Sequence, residues 1–332
     1  MASITSHLSG IGIDVSDHHI RIAHISRFGG IKHLYEIKVP DGLVTDERVV
    51  DPKVLKELVL KEIKNSPYAS GEFNVTVLIP ESRVFSSSFI IPKKIKGAAL
   101  QREAIKQGQK EIPLPIKQAY AAVSQGSKEG DGVRSTLYLV AKDVLNNLKM
   151  AFGVESFKIV AMDANTKALL RLFSKFADKK YKPEKAKDLV GVVDVGHTWS
   201  TVSFYTLAGS NVYSRTLQHN GRKETTPKGK ELLSQISVDT IVSSLKESVL
   251  YFEQKGVKIK TIMLAGVEAT SATLLKSTAE INKEIVVQPI GKLITVPSVA
   301  PQKLHIYGAA IGAALRSSHP RKYAYQHNFI TE

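Results

Sequence analysis

Two aspartates stand at matching points of two related segments. Ile11-Gly12-Ile13-Asp14-Val15-Ser16 can be laid on Gly191-Val192-Val193-Asp194-Val195-Gly196 at a constant offset of 180 residues, 14 against 194. Each Asp ends an apolar run and precedes a turn. Two such units folded face to face would aim both carboxylates at one ligand.

Residue types set other chemistries aside. Cysteine is absent, which excludes thiol catalysis, disulfide staples and Cys-ligated zinc. None of the ten histidines falls in a His-Glu-x-x-His pattern. Asp17-His18-His19 matches the triplet of the DHH phosphoesterases, but the further Asp-rich motifs those enzymes need are missing. Gly229-Lys230 lacks a P-loop glycine five residues earlier, where Glu224 stands, and no Gly-x-Ser-x-Gly elbow occurs.

The elements that must position Asp14 and Asp194 repeat as well. Residues 20–25 and 200–205 alternate as strands do, Gly29-Gly30 and Gly209-Ser210-Asn211 supply turns, and residues 34–39 and 212–217 resume extended patterns. Each unit therefore reads as a three-stranded meander. Asp51-Pro52 then opens a helix with Val54, Leu55, Leu58, Val59 and Ile63 at helical spacing, followed by a buried strand over 73–79. In the second unit a helix carrying Ile241, Leu245, Val249 and Phe252 precedes a strand over 261–264. The duplication predicts two α/β lobes across a cleft, with Asp14 and Asp194 pointing into it.

Residues 83–163 fit neither unit and read as an inserted subdomain. The pattern predicts an extended run over 84–91, a helix over 98–109, a turn at Pro113-Leu114-Pro115, a strand over 135–141 and a helix over 143–152. A Lys-rich stretch around 179–187, broken by Pro183, reads as the linker into the second lobe. The expected division is residues 1–82 plus 164–189 for the first lobe and 190–332 for the second.

With 332 residues, 43% hydrophobic and 23% charged, the chain is long and apolar enough for two folded domains. No stretch reaches the roughly 20 apolar residues of a membrane-spanning helix, and residues 1–10 do not read as a signal peptide, so the expected location is the cytoplasm. The net charge of +15 favours anionic partners. One of its local excesses, Lys93, Lys94, Lys96, Arg102, Lys106 and Lys110, has no interleaved aromatic residues, which speaks against nucleic acid.

Two Asp-bearing meanders, the turn at Leu264-Ala265-Gly266 and the closing Tyr307-Gly308-Ala309-Ala310-Ile311-Gly312-Ala313-Ala314-Leu315-Arg316 together resemble the actin-like (ASKHA, ribonuclease H-like) superfamily of two-lobed α/β ATPases. In the intervening segment, Val84-Phe85, Ile91-Pro92, Glu111-Ile112-Pro113-Leu114-Pro115, Leu139-Val140-Ala141-Lys142 and Val160-Ala161-Met162-Asp163 resemble the 1C subdomain shared by PilM and FtsA. In order and spacing they are most similar to the PilM family of type IV pilus assembly proteins.

The resemblance implies ATP as cofactor, its phosphates held by the hairpin turns, with Asp14 and Asp194 holding Mg²⁺ through water. On it, Asp14, Ser16, Asp194, Gly196, Thr198 and Gly266 are the candidate nucleotide contacts, and Asp194 and Asp163 the acids for any hydrolysis. The chain departs from the family pattern at Ser16, where relatives have Gly, at Val267-Glu268, where they have a glycine run, and at Asn165, where they often carry a carboxylate. Degenerate nucleotide binding without catalysis is therefore expected. Relatives also carry a helix with ribose contacts after Gln218, so the outer part of the second lobe, about residues 221–257, reads as a reduced 2B subdomain.

For partners, the resemblance implies a PilN-like bitopic inner-membrane protein. Its cytoplasmic peptide would dock between subdomains 1A and 1C, with Phe85, Phe89, Ile91 and Leu114 as candidate groove residues. Other pilus-platform proteins, and attachment through partners to the inner face of the cytoplasmic membrane, follow from the same likeness. Two alternatives share the fold: an active ATPase or kinase, and an FtsA-like cell-division filament. Against the latter, the segment from His319-Pro320 to Phe329 shows no apolar helical stripe.

Overall fold

A computed structural model describes residues 9–26, 30–66, 68, 71–219, 223–225, 231–320 and 328–329. Expectations for Gly29 and for residues 1–8, 220–222, 226–230 and 321–327 lie outside them.

The core is two five-stranded sheets of the same design. In the first, strands Gly10–Val15, His19–Ile25 and Ile31–Lys38 form the meander, and Phe73–Ile79 and then Phe157–Ala164 add in parallel on the other side of Gly10–Val15. The second sheet repeats this with the meander Leu189–Val195, Trp199–Thr206 and Asn211–Gln218, followed by Ile259–Ala265 and Val286–Pro289. The offset of 180 holds even in pairing register: Asp14 lies opposite Arg21, and Asp194 opposite Thr201. The register break between His24 and Ile25 recurs between Phe204 and Tyr205.

Burial explains the sequence of the central strands. Gly10–Val15 is buried at every position because both sheet faces are covered, which a continuous apolar run satisfies. On the outer face, helix Pro52–Lys64 places Leu55, Val59 and Ile63 against Ile11, Ile13 and Val75, and its N-cap Asp51 accepts from the amides of Lys53 and Val54. Helix Gln235–Gln254 does the same in the second lobe through Ile241, Leu245 and Val249.

Two further helices, Asn165–Phe176 and Pro301–Ser318, lie between the sheets. Each follows the outer parallel strand of its own half, so they too are repeat equivalents. Ala168, Leu172, Ala310 and Ala314 share one core with Ala23 of the first sheet and Val192 and Met263 of the second. Small residues permit the contact: a Cβ on Gly312 would come 2.0 Å from the Ala168 carbonyl oxygen, and one on Gly12 the same distance from that of Ala310.

The inserted subdomain is smaller than its sequence suggested. Strands Val84–Pro92, Gly132–Ala141 and Ala119–Glu129 form a separate sheet with Gly132–Ala141 central, covered by helix Gly97–Gly108. The strand Ala119–Glu129 has no counterpart in the expected elements, because Ala, Ser and Gln dominate where β-branched residues would have marked it. Helix Lys142–Phe152 buries Leu145, Leu148 and Phe152 in the first-lobe core, and Phe157–Ala164 is a strand of the first sheet. Residues 142–164, placed with the insertion by sequence, thus pack and pair with the first-lobe sheet.

In the second lobe, residues 221–257 contain the short ladder of Lys223–Thr225 with Glu231–Leu233 and then the core helix Gln235–Gln254. They stand where the first lobe has the Val44–Thr45 and Arg48–Val49 ladder and then helix Pro52–Lys64.

Candidate functional site

The turns that end Gly10–Val15 and Leu189–Val195 meet over a cavity of about 70 Å³. Asp14, Ser16, Asp194, Gly196, Thr198 and Gly266 all line it, together with Arg21, Glu47, Asn165 and His305. Gly266 has φ +90, and a Cβ there would come 2.4 Å from the Val195 carbonyl oxygen and 2.6 Å from Asp194 Oδ1. Only glycine lets that backbone rest on the aspartate.

Asn165, the first residue of its helix, donates from Nδ2 to Asp14 Oδ1 at 3.1 Å. Burial raises the Asp14 pKa, opposed by Arg21 and by the Asn165 bond. Asp194 is pushed up to about 7 by burial, by the Asp14 charge and by Glu81. Arg21 is itself held by Glu36, Nε to Oε2 at 2.9 Å, whereas the repeat positions in the second lobe are the hydroxyl pair Thr201 and Thr216, 3.3 Å apart. The cavity is thus electrostatically lopsided although its backbone is duplicated.

Glu47 is a cavity residue that sequence reasoning missed. The ladder of Val44–Thr45 with Arg48–Val49 turns through Asp46 (φ 51) and Glu47 (φ 58), two left-handed residues in succession. The Glu47 amide donates to Asp17 Oδ1 at 2.6 Å, and its carboxylate accepts from the Ser82 hydroxyl. Burial pushes its pKa up to about 7. Two short alternating pairs flanking Asp46-Glu47 were the available signal.

The turns consume their own donors. The Ser16 amide donates to the His19 carbonyl at 2.9 Å, and the Ser16 hydroxyl accepts from the His19 amide at 3.2 Å. At the repeat position the Gly196 amide donates to the Trp199 carbonyl at 3.0 Å. Across the mouth the His18 and His197 rings meet edge-on with centroids 5.6 Å apart, and His197 Nδ1 lies 3.2 Å from Glu268 Oε1. Ser16 and Glu268 are thus each engaged within their own lobe, and the ring contact of His18 with His197 spans the mouth.

The cleft is drawn in closely around the two aspartates. The aspartates and turn glycines are suitable donors, but ligand pockets run to roughly 300 Å³ and above, against about 70 Å³ here.

Asp163 is placed elsewhere and does not line the cavity. It is fully buried beneath Arg171 and Arg316, the latter 2.9 Å from Oδ2, so it cannot orient water in the cleft. The four groove candidates do not form an open trough. Ile91 is 1% exposed, while Phe89 and Leu114 pack on the small core of Ile112, Ala119, Leu137 and Leu139. Phe85 is 38% exposed.

Two duplicated sheets with paired aspartate turns, closed on two helices between them, define an actin-like ATPase fold. The sequence model of the family described as type IV pilus assembly protein PilM matches residues 12–229, and the chain belongs to that family. Among solved structures, the PilM-PilN type IV pilus biogenesis complex is similar with a TM-score of 0.74 at 15% identity, over 93% of this chain and 98% of that one. The ethanolamine utilization protein EutJ from Carboxydothermus hydrogenoformans follows at a TM-score of 0.51 and 12% identity, over 92% and 89%. No curated protein matches the chain by sequence.

Proposed function

We propose that the chain is a scaffold of type IV pilus assembly that captures a short cytoplasmic segment of a PilN-like inner-membrane protein, at the inner face of the cytoplasmic membrane. The likeness to the chain in the PilM-PilN complex carries this reading, because it spans 98% of that chain. Membership of the pilus assembly family supports it.

The physical character of the fold agrees with a scaffold. Both lobes share a continuous apolar core through the two central helices, and the cleft between the aspartate turns is narrow, at about 70 Å³. The insertion is tied to the second lobe too: Ser88 Oγ and Thr136 Oγ1 donate to the Asn211 carbonyl at 2.6 and 3.2 Å. No described helix is long and apolar enough to cross a membrane, so membrane attachment through a bitopic partner fits the reading. ATP turnover is not part of it.

The test is co-expression with the partner's cytoplasmic segment fused to a carrier. The segment should retain the chain on affinity resin, and a scrambled segment should not. Equal retention by both, or by neither, would overturn the reading.

A further inference from the structure

Each lobe has a cavity at the end of its sheet where the central strands start, opposite the aspartate turns. In the first lobe it measures about 520 Å³ and lies between Ile63 in the last turn of helix Pro52–Lys64, Glu72 before Phe73–Ile79 and Ser156 before Phe157–Ala164. In the second it measures about 550 Å³ and lies between Glu253 in the last turn of helix Gln235–Gln254, Lys258 before Ile259–Ala265 and Ile285 before Val286–Pro289. These are repeat-equivalent places, so the duplicated fold builds both. Each exceeds the roughly 300 Å³ at which ligand pockets begin.

In the second cavity residues 183–188, which lead into Leu189–Val195, supply a further wall, and Asp188 stands in it. Its amide donates to the Lys185 carbonyl at 3.0 Å. Its neighbours are tied across to the end of the long helix: Lys187 Nζ donates to the Gly256 carbonyl at 3.4 Å, and the Leu189 amide to the Lys258 carbonyl at 2.8 Å. Asp188 is only 6% exposed, yet among the described residues its carboxylate joins no ion pair and Oδ1 has no hydrogen-bond donor. Lys185, Lys258 and Lys260 also line the cavity, but none of them pairs with it. Taking a carboxylate out of water without a partner is costly, and buried carboxylates in folded proteins are as a rule paired. Glu184, Glu253 and Glu284, all exposed, add charge of the same sign around it.

We propose that this cavity binds a cationic group, an alkylammonium or a guanidinium, which gives Asp188 the donor it lacks and lies among the three glutamates. A guanidinium offers a carboxylate two parallel N–H bonds and is weakly hydrated, so it loses least on entering such a pocket. A free small amine and the arginine or lysine side chain of a protein present the same chemistry. The site lies at the far end of the second lobe from the aspartate cleft and does not depend on the scaffold reading.

Titration calorimetry of the full chain with agmatine, a free small cation, and with N-acetyl-arginine amide, which stands for a protein side chain, provides the test. Potassium chloride is the control titrant. The wild type should give saturable heat with at least one probe at about 0.1–5 mM, and none with potassium chloride. Saturation by agmatine alone assigns the site to a free amine, and saturation by the arginine amide assigns it to a side chain. Asp188→Asn should weaken binding about tenfold or more. Glu184→Lys sets a cation at the exposed rim, away from the core, and should weaken it about threefold or more, so it decides the matter even where Asp188→Asn fails to fold. No saturable binding of either probe to the wild type, or unchanged affinity in every variant that folds, would overturn the assignment.

Discussion

Asn165 and Asp14 are joined by a 3.1 Å hydrogen bond at the floor of the interlobe cleft. Asp194 lies buried beside them, where the Asp14 charge helps to raise its pKa, so the Asn165 bond steadies one of two carboxylates that repel each other. Asn165 thus places a neutral amide, and no further carboxylate, beside Asp14.

Asp194→Asn should therefore stabilise the protein at alkaline pH. Its native pKa of about 7 lies above the ordinary 3.8, so the folded state holds a proton that the unfolded state releases. The stabilisation is present below about pH 4 and is lost as pH rises to about 7. Glu47 and Glu81, both pushed up to about 7, act in the same sense. The variant should gain about 1–3 kcal/mol at pH 8 and much less at pH 5. Denaturant melts at the two pH values check this, and a loss at pH 8 would contradict it.

His24→Phe should also stabilise. His24 is 5% exposed, and neither ring nitrogen has a hydrogen-bond partner among the described residues. Phe204 occupies the repeat position in the second lobe. Burial lowers the His24 pKa to about 4, so stability is lost as pH falls from about 6.5 towards 4, where only the unfolded chain protonates. The substitution should add about 1–2 kcal/mol at neutral pH and flatten the acid limb of the melting profile. An unchanged acid limb would contradict the assignment.

Asp163→Asn should cost about 3–5 kcal/mol, because it leaves Arg171 and Arg316 buried without their shared carboxylate. Arg171 also donates to the Gly312 carbonyl at 2.9 Å, so the loss should loosen the two central helices against each other. A melt shifted by less than 1 kcal/mol would show Asp163 to be dispensable for packing.

The duplication was legible because register is a local property: an apolar run, an Asp and an alternating return strand fix the pairing of each hairpin without distant information. Asp163 and Asn165 were not separable in the same way. They straddle the junction of Phe157–Ala164 with its helix, and the residue that enters the cleft depends on where the helix starts. Glu47 depended on two consecutive left-handed residues, which composition does not announce at Asp46-Glu47. The hydrogen bond from the Met162 amide to Asn328 Oδ1 joins residues 166 positions apart, beyond the reach of any local pattern. The strand Ala119–Glu129 forms because Gly132–Ala141 offers it an edge, a tertiary effect that outweighs weak propensity.

Titration calorimetry of the full chain against two ligands, the partner's cytoplasmic peptide and Mg²⁺ with ATP, tests the scaffold assignment most directly. Saturable heat is expected with the peptide at about 1–100 µM, and none with ATP at concentrations up to about 1 mM. Tight ATP binding in a preparation that ignores the peptide would contradict it.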